Sequence, residues 1–371
     1  MARILFCTWQ YHPVAAGGAE RQARLQAEEL VRGGHEVTVV CPRVRGVPSG
    51  VVEGVRVVRL RRLRGKVPRR LTYFANLFRF VVQHGRRFDV VHVHLANLQA
   101  DAVVAAARLR GLPTHVKVAN SGVHGETRRL ATVARVTRWY GLRHATSVQA
   151  LSAETRSELL RIGVADSRIV AIPNGVPAAD VVPGQDVARS RLGLPSGHRL
   201  VLFLGRFARY KGLSDLLAAW EKVHRPGWSL LLVGEEAEDQ PFGPLPERAD
   251  VLVHPWTLEP RTYLAASDVF VLPSHSEGMS NALLEAMATG CCVVTSDTGA
   301  ATEMVEHDRS GLIHGTGDVA DLVGCLDRVM GDDDLRAALA EGARARAADF
   351  SVGSVVDRLE AVYAQIADSR R

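Results

Sequence analysis

Two glutamates with seven residues between them, Glu277 and Glu285, bracket the passage Pro273-Ser274-His275-Ser276-Glu277-Gly278-Met279-Ser280-Asn281-Ala282-Leu283-Leu284-Glu285-Ala286-Met287. An apolar run from Asp268 to Leu272 feeds a glycine-containing loop, and a helical pattern follows. Glu277 precedes that helix and Glu285 falls about a turn inside it. The two carboxylates therefore need not share a face and can grip separate parts of an extended ligand. Ser280 and Asn281 fall at the helix start, where a side-chain oxygen is an ordinary cap and unpaired amides can also hold phosphate oxygens.

A second cluster, Gly205-Arg206-Phe207-Ala208-Arg209-Tyr210-Lys211-Gly212, directly follows another apolar run. Arg206 suits a diphosphate through its planar fork and Lys211 as a compact charge, although basic residues also decorate plain solvated turns. The third is His12-Pro13-Val14-Ala15-Ala16-Gly17-Gly18-Ala19-Glu20, after the first apolar run and opening the first helical pattern. Gly17 and Gly18 let backbone approach a ligand closely at a helix N-terminus, or simply make a tight turn.

The elements that must position these residues alternate strand and helix through both halves, the signature of parallel sheets with crossover helices. In the first half strands are expected at 3–9, 36–42, 55–60, 89–94, 114–119, 145–151 and 168–172, with a first helix from Gly18 to Arg32 stopped by Gly33-Gly34. Pro173-Asn174-Gly175-Val176-Pro177, followed by Pro183-Gly184, places a linker near 173–190. The alternation restarts with strands at 199–204, 229–233, 250–254, 268–272 and 292–296. Helices are expected at 213–224, 259–266, 281–289, 318–330 and 333–348, and a last one at 352–367. The reading is α/β: two doubly wound domains facing each other across a cleft. The first spans 1–178 and the second 179–349, while 350–371 forms a helix that returns to the first.

The composition narrows the class. The 371 residues are 47% hydrophobic and 23% charged, which excludes a largely disordered chain. No apolar stretch approaches the roughly 20 residues needed to span a bilayer, and the first residues read as a strand rather than a secretion signal. Five cysteines without a CxxC or zinc spacing point to a reduced, cytoplasmic protein. The net charge of +6 divides unevenly: residues 1–175 hold 28 basic and 11 acidic residues (+17), and residues 176–371 hold 18 and 29 (−11). The basic half suits an anionic partner, whether a phosphorylated acceptor, an acidic membrane surface or nucleic acid; compositional bias toward arginine is the plainer source.

At the motifs quoted above the chain resembles the retaining nucleotide-sugar glycosyltransferases of family 4, which have the GT-B fold. The Glu277/Glu285 pair fits the family's carboxylate motif. The Gly-Gly-Ala-Glu loop, the Arg206 and Lys211 spacing and the run Asn-Ala-Leu-Leu-Glu-Ala-Met-Ala-Thr-Gly fit as well. The resemblance covers nearly the whole chain and implies roles for its residues. Arg206 and Lys211 would bind the donor's diphosphate, with Ser280, Asn281 and Ala282 beside it and Gly17 and Gly18 approaching from the first domain. Glu285 would bond the ribose, and Glu277, with Gly278 and Met279, would face the transferred sugar. Val253 and His254 would lie at the nucleobase. His124, in a loosely matching segment where Glu126 stands in place of the usual Asp, would contact the donor sugar as a catalytic residue.

The resemblance implies metal-independent, front-face transfer with retention, in which the leaving phosphate helps accept the acceptor's proton and Glu277 orients the sugar rather than attacking it. Hexosyl or N-acetylhexosaminyl transfer from a UDP-sugar is favoured, with GDP-mannose as the other donor and no cofactor. The acceptor would be a saccharide, a lipid-linked glycan or a small natural product. The alternatives are a nucleotide-sugar epimerase of the same architecture and a nonenzymatic anionic-ligand or nucleic-acid-binding protein.

Three further patterns have plain readings. His92-Val93-His94 places two imidazoles on one strand face without an evident third metal ligand. Asp332-Asp333-Asp334 reads as a helix cap rather than a metal motif. The basic run Arg59, Arg61, Arg62, Arg64, Lys66, Arg69 and Arg70 precedes an aromatic, apolar stretch from Leu71 to Val82. It suits peripheral contact with the anionic inner face of a membrane, or a phosphorylated acceptor, or a solvated loop before a core helix.

Overall fold

The computed structural model describes residues 1–14, 17–63, 66–119, 139–177, 183–195, 197–223, 225–237 and 242–368. The chain divides into two compact units, Met1–Gly175 with Val352–Arg371, and Val176–Ser351.

The first unit holds strands β1 (Arg3–Cys7), β2 (Glu36–Pro42), β3 (Gly50–Val52), β4 (Val55–Leu60), β5 (Val90–Val93), β6 (Thr114–Lys117), β7 (Ser147–Ala150) and β8 (Ile169–Ala171). They form one sheet in the order β3-β4-β2-β1-β5-β6-β7-β8, parallel throughout except for the β3–β4 hairpin. Alternate residues of each strand go to opposite faces. Leu5, Cys7, Val91 and Val93 join Tyr73, Leu77 and Val81 of the helix Lys66–His84 on one side. Ile4, Phe6, Val37 and Val39 join the helices Gly18–Arg32 and Val352–Asp368 on the other.

The second unit is a six-stranded, wholly parallel sheet: β9 (Arg199–Leu204), β10 (Trp228–Val233), β11 (Val251–His254), β12 (Val269–Leu272), β13 (Cys292–Ser296) and β14 (Leu312–His314), in the order β11-β10-β9-β12-β13-β14. Near-continuous apolar strands such as Leu-Val-Leu-Phe-Leu in β9 are buried on both faces, as a sheet covered by helices on each side requires. The order reverses between β9 and β12. Ligands of open parallel sheets gather outside the carboxyl ends of strands at such a reversal.

Several expected boundaries move. The strands β3 and β14, of three residues each, the alanine-rich helix Leu98–Arg108 and the helix Ala153–Arg161 were not expected. The stretch 173–190 is not all linker. Its end begins the helix Gln185–Leu192, whose buried Arg189 donates to the Ala266 carbonyl and pairs with Asp268 at 2.8 Å. Pro183-Gly184 starts that helix instead of extending a loop. Asp332 does cap the helix Asp333–Ala347, its side chain accepting from the Leu335 amide at 2.9 Å. All five cysteines are buried free thiols, and among the described residues no helix is long and apolar enough to cross a membrane.

Candidate active site

The loops after β9 and β12 are neighbours because β9 and β12 pair, Val201 opposite Val269 and Leu202 opposite Phe270. Three contacts lock the loops together. The His275 amide donates to the Tyr210 carbonyl at 2.8 Å. The His275 imidazole meets Asp215 at 2.6 Å. Gly212, at φ +69°, lies so close to the Pro273 carbonyl that a Cβ there would collide with it. Glycine supplies both the left-handed conformation and the missing side chain.

That clamp brings Lys211 to Glu277: Nζ donates to Oε1 at 2.5 Å, with side-chain exposures of only 17% and 13%. The buried Ser274 hydroxyl donates to the same carboxylate oxygen at 2.9 Å. Arg206 is exposed on the same loop as Lys211. Its guanidinium donates to the Tyr210 hydroxyl at 2.5 Å and lies 5.9 Å from that ring's centre, while Lys211 Nζ lies 5.5 Å from it. Backbone bonds from Phe207 to Glu235 and from Ala237 to Phe207 pin the base of the loop to the segment after β10.

Beyond Glu277 the chain turns through Gly278 and the buried Met279 into the helix Asn281–Thr289. Ser280 is its N-cap, its hydroxyl accepting from the Leu283 amide at 3.3 Å, so the ordinary capping role expected of this residue is filled. Asn281 and Ala282 form the first turn, at the positive end of the helix dipole. Glu285 is buried at 4% exposure. Gly299, at φ +61°, packs against the carbonyls of Glu277 and Gly278, and the Ala300 amide donates to Gly278 at 2.8 Å. Sequence spacing gave no hint of Gly299 or of Ser274. The glycine before Ala300 and the serine three residues before Glu277 were the available signals.

Val253 and His254 end the edge strand β11; Val253 is exposed, and the His254 ring bonds the Tyr263 hydroxyl at 3.1 Å, burial lowering its pKa. Gly17 and Gly18 belong to the first unit, where Gly17 caps the helix Gly18–Arg32 with the Glu20 carboxylate packed against it. Glu20 bonds its own backbone amide, while burial raises its pKa. His124 lies outside the described residues.

One surface expectation changes, and the histidine pair proves to be interior. Arg59 is buried rather than part of a basic surface, donating to the carbonyls of Pro48 at 3.1 Å and His12 at 2.6 Å. His92 and His94 stack at 4.0 Å in the fully buried interior, joined by His115 at 4.7 Å from His92. His92 bonds Tyr363 of the last helix at 2.6 Å, and burial lowers the pKa of all three imidazoles, that of His115 to about 4. Lys117, equally buried, donates to Asn174 at 2.6 Å. Among the described residues no group of three metal-ligating side chains is arranged to hold an ion.

Residues 198–332 match the family described as glycosyl transferases group 1, and residues 17–175 match the glycosyl transferase 4-like domain. A D-inositol 3-phosphate glycosyltransferase of Stackebrandtia nassauensis is 30% identical over 86% of this chain and 76% of the relative. The chain belongs to the family 4-type glycosyltransferases. This glycosyltransferase is also similar to a glycogen synthase of Mycobacterium tuberculosis, 27% identical over 97% of the chain and 94% of the relative. Among solved structures, Anabaena HepE in complex with UDP and glucose superposes with a TM-score of 0.79 at 19% identity, covering 98% of this chain and all of that one. Sucrose-phosphate synthase from Thermosynechococcus elongatus gives 0.79 at 23% identity, with both chains fully covered. The fold of this glycosyltransferase is GT-B.

Proposed function

We propose that this glycosyltransferase binds a nucleotide sugar at the β9/β12 reversal of its second unit and transfers the sugar to an acceptor hydroxyl with retained anomeric configuration. The observation that carries the reading is the Lys211–Glu277 pair, which sets a cation and a carboxylate side by side at the place where parallel sheets take ligands. Lys211 has three N–H donors and one goes to Glu277, so a single ammonium can bridge that carboxylate and a phosphate oxygen. Arg206 adds a second cation on the same loop. Two cations on one loop stabilise the negative charge that develops on a leaving diphosphate, a role that otherwise falls to a metal ion. Glu277 orients the sugar and stabilises cationic character at the anomeric carbon. The buried Glu285 holds the ribose, Ser280 to Ala282 flank the diphosphate, Gly278 and Met279 the sugar, and Val253 and His254 the base.

A UDP-linked hexose or N-acetylhexosamine is the favoured donor and GDP-mannose the alternative. The acceptor is a saccharide, a lipid-linked glycan or a small natural product, and an anionic one is favoured because the first 175 residues carry +17 and one relative is named for D-inositol 3-phosphate. The protein works in the cytoplasm, with or without peripheral contact at the inner membrane face. The test is to incubate it with UDP- and GDP-sugars, with EDTA present, alone and with a panel that includes inositol phosphates, and to read the products by NMR. The expected result is a glycoside of unchanged anomeric configuration, formed only with acceptor. An epimerised donor without acceptor would establish the epimerase instead, and an inverted linkage would refute retention.

A further inference from the structure

Ser274 has no exposed surface, and its hydroxyl spends its proton on Oε1 of Glu277, 2.9 Å away. The same oxygen receives Lys211 Nζ. Ser274 is itself held firmly. Its carbonyl accepts from the Ser296 hydroxyl at 2.6 Å, linking it to the end of β13. Its neighbour Pro273 packs on Gly212, and its neighbour His275 bonds the Tyr210 carbonyl. A donor so placed cannot follow a carboxylate that moves, but it can keep one from moving.

We infer that Ser274 is a positioning residue that fixes the Glu277 carboxylate when a diphosphate draws on Lys211. The inference rests on the donor-site reading above. Lys211 serves two anions, and its long side chain shifts toward the phosphate as the donor binds. Ser274 sits in the loop just after β12, tied to the end of β13, and does not shift. Oε1 therefore keeps a hydrogen bond throughout, and the carboxylate keeps the plane and rotamer in which it meets the sugar. The arrangement separates two tasks that one lysine could not do alone: Lys211 answers to the diphosphate, and Ser274 answers to the orientation of Glu277.

The experiment is a double-substitution cycle with Ser274→Ala, Glu277→Gln and the pair, on the full chain, using UDP-glucose and GDP-mannose as probe donors. Slow release of sugar to water serves as the reaction, and calorimetric binding of UDP and GDP as the control. Ser274→Ala should lower the release rate about tenfold, the size of one lost hydrogen bond to a charged group, while nucleoside diphosphate affinity stays within about twofold. In the Glu277→Gln background the same change should add less than about twofold, because the group it positions is gone. Ser274→Thr, which keeps the hydroxyl, should recover most of the rate. Equal losses in both backgrounds, or a parallel loss of diphosphate affinity in Ser274→Ala, would overturn the inference and make Ser274 merely structural. If Glu277→Gln itself leaves release unchanged, the donor-site reading fails first, and the positioning inference falls with it.

Discussion

Oε1 of Glu277 accepts from two donors of different character, the ammonium at the end of the long Lys211 side chain and the buried hydroxyl of Ser274. Neutralising the glutamate without changing its shape isolates its charge. Glu277→Gln should slow transfer at least about tenfold while leaving nucleoside diphosphate affinity within about twofold, because a lost charge-assisted bond of about 1.5–3 kcal/mol falls on the sugar, not the nucleotide. Steady-state transfer beside calorimetry checks it. Arg206 stands in solvent, where charges are screened, so Arg206→Ala should weaken UDP or GDP binding by only about threefold at physiological salt, and by more at low salt. Titration at two ionic strengths decides that.

The strand-to-loop-to-helix units that carry these residues depend on a few glycines. Gly212 needs φ +69° and contact with the Pro273 carbonyl, so Gly212→Ala should destabilise the protein by about 2 kcal/mol or more through overpacking and strain. It should also abolish nucleotide binding by parting the two loops. Urea unfolding and calorimetry on the same variant test both halves of this prediction. The long buried strands of the second sheet were legible because both their faces are apolar, and the helix Asn281–Thr289 because Ser280 and Gly290 mark its ends. The short strands β3 and β14 were not, whereas β8, equally short, was marked by the apolar run before Pro173. Arg59 misled as well. Sequence shows a basic run but not that one guanidinium in it turns inward to hold backbone carbonyls. The approach of Lys211 to Glu277, 66 residues apart, follows from strand order, which local patterns suggest but do not fix.

Across the whole molecule, the first unit encloses a polar layer under its last helix. His92, His115, Lys117 and Gln149 lie beneath it, and Tyr363 of that helix bonds His92. The motif His92-Val93-His94 was visible in sequence, but its burial and its third neighbour, His115, come from β6 lying beside β5. Burial lowers the pKa of all three imidazoles, that of His115 to about 4, against about 6.5 unfolded. The unfolded chain therefore binds more protons between those values. The stability that His115 contributes is fully present above about pH 6.5 and is lost as pH falls toward about 4, at up to about 1.4 kcal/mol per pH unit, and His92 and His94 act in the same direction. Urea midpoints should fall from pH 7 to pH 5.5, and less steeply in His115→Gln; identical pH dependence in that variant would contradict the assignment.

In the proposed reading the loops after β9 and β12 form a nucleotide-sugar site whose diphosphate is held by Lys211. Calorimetric titration of UDP and GDP into the wild type and Lys211→Ala, both in EDTA, tests it most directly. At least one nucleoside diphosphate should bind the wild type without divalent metal, and its affinity should fall about tenfold in the variant, as loss of a charge-assisted contact requires. Equal affinity in the two proteins, or binding only when a divalent metal is restored, would contradict it.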